Sequence, residues 1–145
     1  MNTDWITFGL AITAYALLAI DLLYHARGLR SKRWSMLTAV VVAAHVVCVW
    51  IFRLNLDPAA AFQKSPQGFI IFHAATILIF AGPFLPAVWW TRALAFSMIF
   101  VTIGAIAGTF RYPELAMLRI PVIAIALLKG GQALFLWLKS FKKQE

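Results

Sequence analysis

The sequence predicts an all-α integral membrane protein, a bundle of about five transmembrane helices with its N-terminus outside and its C-terminus inside. Three observations predict it. Of 145 residues, 63% are hydrophobic and only 12% are charged, whereas a soluble domain carries about 25% charge. The charges sit in clusters between long apolar runs. The tryptophans Trp5, Trp34, Trp50, Trp89, Trp90 and Trp137 all fall within about a turn of a predicted helix end, the depth at which indole rings meet lipid headgroups. A chain this apolar cannot hide its surface from water, so its solvent is the lipid bilayer.

The elements follow in order, each span needing ~20 apolar residues. The first covers about residues 5–24 and is apolar except for Asp21. It runs into a basic stretch of His25, Arg27, Arg30, Lys32 and Arg33, with Gly28 as the break. Asp4 precedes it without any Lys or Arg, and no small-residue cleavage site follows, so it is expected to stay as a helix rather than be removed as a signal peptide. The second span, 34–53, contains His45 and Cys48 and closes at Arg53.

The connection that follows has its own punctuation. Asp57-Pro58 reads as an N-cap with proline at the first helical position, which predicts a short interfacial helix over 59–64. Ser65-Pro66 repeats the signal and opens the third span, 66–90, whose second half Gly82, Pro83 and Pro86 should kink. The fourth span, 93–110, lies between Arg92 and Arg111. The fifth, 114–138, starts at Pro113-Glu114 or at Pro121, carries Lys129, and ends before Lys139, Lys142 and Lys143. A four-span arrangement, with the third and fourth fused or the fifth lying flat, is the alternative. The whole chain, 1–145, reads as a single transmembrane domain.

Charge sets the expected orientation. Arg27, Arg30, Lys32, Arg33, Arg92, Lys139, Lys142 and Lys143 gather on one side. The other side has Arg53, Lys64, Arg111 and Arg119, offset by Asp4, Asp57 and Glu114. Positive residues favour the cytoplasmic face, which places the chain in a membrane of the bacterial inner type. The net charge of +8 therefore serves topology and not nucleic acid, because the basic residues lie in loops and tails. The single cysteine, Cys48, excludes an intrachain disulfide and a structural zinc site. No glycine-rich phosphate loop and no nucleophile–base context is present.

Function must then come from polar residues that lipid makes costly. His45 lies eight residues before Arg53, and His73 seven after Pro66, so both sit ~10–12 Å below the same outer side on consecutive antiparallel helices. Two facing imidazoles can hold a haem iron or another metal, while Arg53, Arg111 and Arg119 toward that side would meet haem propionates. In outline this arrangement resembles the small membrane cytochrome b subunits that anchor respiratory enzymes. The resemblance implies an electron-transfer subunit with haem b between His45 and His73, exchanging electrons with quinone and docking other membrane subunits. The bland alternative is that each histidine bonds a helix carbonyl or hydroxyl and that the arginines snorkel to headgroups. His45 and Cys48 share a helix face, which suits copper or zinc, or simply a small buried hydrophobe.

Lys129 sits near the middle of its span, where a lysine costs ~3 kcal/mol. Asp21 is the sole acid embedded in a span, so a Lys129–Asp21 pair is expected, as a structural ion pair, a proton relay or a quinone headgroup site. Gly104 and Gly108, with Ser97 a heptad before, form a stripe that admits a close helix neighbour, inside the bundle or at a partner subunit or second copy. Two further classes follow: a cofactor-free structural or assembly subunit, and a small transporter or proton pathway using Asp21, Lys129 and the Gly82-Pro83 kink. The basic cluster around His25 is expected to be an ordinary loop meeting anionic lipid.

Overall fold

The computed structural model of the chain describes residues 3–111 and 119–142. Six α-helices follow one another: α1 Thr3–Ala26, α2 Lys32–Phe52, α3 Pro58–Lys64, α4 Pro66–Ala81, α5 Ala87–Arg111 and α6 Arg119–Phe141, with a 3-10 turn Gly82–Phe84 between α4 and α5. There is no strand among the described residues. Five stretches are long and apolar enough to cross a membrane: Trp5–Ala26, Lys32–Phe52, Pro66–Phe84, Ala87–Ala107 and Ile123–Phe141. They alternate in direction. The turn after α1, the α4–α5 corner and the C-terminus of α6 share one end of the bundle, called here the Gly28 end, and the loop through Asn55 lies at the other.

The punctuation legible in the sequence is what the backbone uses. Gly28 has φ +76°. Its N–H reaches the His25 carbonyl at 3.1 Å and that of Leu29 the Tyr24 carbonyl at 2.9 Å. This is a glycine C-cap that satisfies two orphan carbonyls of α1. The Asp57 side chain accepts from the Ala60 N–H at 2.9 Å and the Ser65 hydroxyl from that of Gly68 at 3.3 Å, each with proline following.

One boundary moves. The expected limit between the third and fourth spans, at 90–93, lies instead at Leu85-Pro86. Pro86 disfavours helical geometry in the residue before it, and Leu85 is extended, φ −89° and ψ 155°. The helix restarts at once: the Trp90 N–H bonds the Pro86 carbonyl at 2.8 Å. Trp89, Trp90 and Arg92 thus belong to the first turns of α5, not to a loop.

Helix α5 is the hub. It packs against α1, α4 and α6, while α1 also packs on α2, and α6 touches α1 only slightly. The core is Leu18, Leu22, Ile79, Trp90, Leu94 and Met98, with Ala95 and Ala133 where helices meet most closely. Helices α5 and α6 approach closely, so that a Cβ on Gly130 would stand 2.9 Å from Thr102 Cγ2. In lipid, such close packing at a small residue supplies the energy that burial supplies in water. Ser97 is fully buried and donates within its own helix to the Ala93 carbonyl at 2.8 Å, with the Ala75 carbonyl of α4 at 3.2 Å. Gly104, by contrast, has nothing within 4 Å of where a Cβ would stand. It opens away from the bundle, and Gly108 lies outside the described side-chain positions.

Candidate functional site

Polar side chains concentrate at the Gly28 end. Because the helix cap sits at Gly28, α1 continues past Tyr24 and takes Asp21 and His25, one turn apart, onto its inward face. Asp21 is 1% exposed, as is Ser35 of α2. The Ser35 hydroxyl donates to Asp21 Oδ2 at 2.6 Å, and Oδ1 is buried without a partner. His25 is 4% exposed. Its Nδ1 stands 3.3 Å from Thr91 Oγ1, and its ring meets the edge of Trp90 at 4.5 Å between centroids. The Thr91 hydroxyl donates to the Ala87 carbonyl at 3.0 Å. Its proton is thereby committed, so His25 Nδ1 donates to it and Nε2 keeps a lone pair. That Nε2 is buried with no partner.

Arg92 completes this end. It is buried, with Nε donating to Ser140 Oγ at 3.0 Å and Nη2 to the Ser140 carbonyl at 3.2 Å. Its guanidinium lies over Phe141 at 4.1 Å and Trp89 at 4.7 Å. A cation at the last turn of α6 meets the negative end of the helix dipole and an orphan carbonyl together. Between α1, α5 and α6 lies a cleft of about 110 Å³ whose polar lining is His25, Arg30, Thr91, Lys139 and Ser140.

The residues singled out in the sequence are distributed differently. His45 turns toward α1, its Nδ1 3.2 Å from the Thr7 carbonyl. His73 bonds within α4, with Nδ1 2.7 Å from the Phe69 carbonyl, and its Nε2 accepts from Trp50 Nε1 at 3.3 Å. Phe72 makes edge contacts with both imidazoles, at 6.1 Å and 5.4 Å. As folded, His73 has neither nitrogen free, and ligation of a haem iron would first have to displace Trp50. No group of three His, Cys, Asp or Glu able to hold a metal forms among the described residues, and Cys48 is half-buried beside its helix neighbours. Arg53 is exposed in the loop with Asp57 and Lys64, around a shallow hollow. The side chains of Arg111 and Arg119 lie outside the described residues.

Lys129 and Asp21 are not brought together. Asp21 is committed to Ser35, while Lys129 Nζ meets Gln132 Oε1 of its own helix at 3.5 Å. The reason is packing order: α6 lies on α5 and barely reaches α1. Sequence reasoning assigned His25 to a loop and Arg92 to an interface, and so missed the Gly28-end cluster. A signal existed for His25: a glycine C-cap at 28 places residue 25 inside the last helical turn. None existed for Arg92 and Ser140, which only the tertiary fold brings together. Compared with known protein families, curated proteins and solved structures, the chain matches none.

Proposed function

We propose that the chain is a non-catalytic, membrane-integral subunit that docks against another membrane protein through the outer face of α6. Lys129 carries this reading. It lies six residues into the apolar span Ile123–Phe141 and twelve before its end, ~9 Å and ~18 Å along the axis, inside the apolar layer from both sides. Uncompensated there, its charge costs ~3 kcal/mol. Its ammonium meets the Gln132 oxygen at 3.5 Å, the outer limit of hydrogen bonding, and α6 is the least covered of the five spans. On the outer face of α6 Gly131 has open space where a Cβ would stand, between Leu128, 72% exposed, and Phe135, 64% exposed. This is a notch between two apolar ridges, while Lys129, two residues away, is half-buried on another side of the helix. The notch suits a closely packed helix, and the lysine a carboxylate that reaches it from beside that helix.

A second copy of this chain does not supply that group. Its acids are Asp4, Asp21, Asp57, Glu114 and Glu145. Asp21 is buried against Ser35, Asp4 and Asp57 lie at the starts of α1 and α3, and Glu114 and Glu145 lie outside the described residues. The occupant is therefore a helix of a different chain. The electron-transfer form of the subunit reading is the competing proposal, and it requires His73 to give up Trp50.

Native gel electrophoresis of membranes from a native host, extracted in mild detergent, tests the docking. Wild-type chain should run in an assembly well above its 16.2 kDa. Lys129→Met and Gly131→Trp should release it, whereas Ile77→Trp should not, because Ile77 is exposed on α4, which does not touch α6. Wild-type protein running alone would refute the proposal.

A further inference from the structure

The cleft at the Gly28 end has the composition of a phosphate-ester site. Two cations, Arg30 after α1 and Lys139 in the last turns of α6, approach it from different elements, and both are exposed at its rim. Arg92 adds a buried positive charge behind Ser140. Among the described residues no carboxylate lines the cleft; the nearest acid along α1, Asp21, is turned to Ser35. Its volume is about 110 Å³, room for a small polar group. Val88 and Leu136 supply apolar wall, and the cleft lies where spans leave the apolar layer, so an acyl chain can continue from it along the helices.

His25 provides the second, independent observation. It is 4% exposed, it lines the cleft, and its buried Nε2 has no partner among the described residues. A buried polar atom left unpaired is costly, and a ligand that bonds it recovers that cost. Because Nδ1 holds the proton toward Thr91, Nε2 is an acceptor. A ligand that satisfies it must bring a hydroxyl as well as an anion.

We propose that this cleft binds a phosphate ester bearing a hydroxyl, presented as the headgroup of an anionic phospholipid such as phosphatidylglycerol, with the phosphate between Arg30 and Lys139 and a headgroup hydroxyl donating to His25. Basic pockets between transmembrane helices hold anionic headgroups by this chemistry. The site is independent of the α6 docking face, which lies at mid-membrane.

The test is calorimetric titration of the purified protein in neutral detergent with short-chain phosphatidylglycerol, short-chain phosphatidylcholine, and soluble glycerol 3-phosphate. Phosphatidylglycerol should bind with one-to-one stoichiometry and phosphatidylcholine should not. The Arg30→Gln/Lys139→Gln double variant should weaken binding by about tenfold or more. The Lys32→Gln/Arg33→Gln pair, exposed in the same region but outside the cleft, should bind as wild type. Both pairs remove the same charge, so equal losses would show diffuse surface attraction and overturn the site. Equal binding of phosphatidylcholine would overturn it too. Glycerol 3-phosphate binding as tightly as the lipid would keep the phosphate-ester chemistry and overturn its lipid source.

Discussion

Replacing Arg92 with methionine removes the guanidinium while keeping most of the apolar stem. The side chain is 6% exposed and makes two hydrogen bonds to Ser140, at 3.0 Å and 3.2 Å, and two ring contacts. Hydrogen bonds from a charged donor contribute about 1.5 kcal/mol each at the low end, and each cation–π contact about 0.5–1 kcal/mol. The gross loss is about 4 kcal/mol, and the variant also leaves the Ser140 carbonyl, near the end of α6, without its donor. Against this, the variant no longer buries a guanidinium, whose desolvation offsets part of the gain. A net destabilisation of about 2–3 kcal/mol is expected. Arg92→Lys should fall between, because an ammonium keeps the charge but cannot span Oγ and carbonyl as a fork. The assay is reversible unfolding by SDS in mixed micelles, read by near-ultraviolet circular dichroism. An Arg92→Met variant within about 0.5 kcal/mol of wild type would refute the reasoning, since that is the size of an ordinary surface substitution.

Other outcomes follow from the same geometry. Ser35→Ala should destabilise by about 2 kcal/mol because it strips the hydroxyl from buried Asp21, while Asp21→Asn should cost less, since an amide keeps an acceptor for Ser35 and removes a charge; equal losses in SDS unfolding would contradict this. Gly130→Ala should cost about 1–3 kcal/mol because its Cβ meets Thr102 at 2.9 Å, whereas Gly131→Ala, facing open space, should be neutral or stabilise by up to about 1 kcal/mol. The reverse order would mean that α5 and α6 pack in another register. Protein purified under haem-replete conditions should show no reduced-minus-oxidised α-band, because both nitrogens of His73 are engaged; a band lost in His45→Ala or His73→Ala would establish the cytochrome reading instead.

The architecture was largely legible because long apolar runs dictate it. Long apolar runs in a solvent that cannot satisfy backbone groups must be helices, and the caps at Gly28, Asp57 and Ser65 are local chemistry written in two or three residues. The misplaced boundary at 90–93 arose from treating Arg92 as a mark of the interface. An arginine stops a hydropathy window whether it faces water or a serine of another helix, and Pro86 was the better signal. The functional groups were less legible, because every contact among them crosses between helices. Asp21 and Lys129 looked like partners only while the packing order was open. Once α6 lies on α5, the depth of each charge in the bilayer no longer decides what it meets.

The corner at Leu85-Pro86 also bears on how the chain enters a membrane. Between α4 and α5 there is no polar loop to carry across: the backbone reverses within the few residues from Gly82 to Pro86, and Gly82 sits so close to Trp90 that a Cβ would stand 2.9 Å from the indole. Residues 66–111 therefore form a helical hairpin whose two arms find each other with almost no loop entropy to overcome. A hairpin without a polar loop is one that a bilayer could take up as a pair of helices. Helix α5 would arrive already carrying Trp90 and Thr91 for α1 and Arg92 for α6.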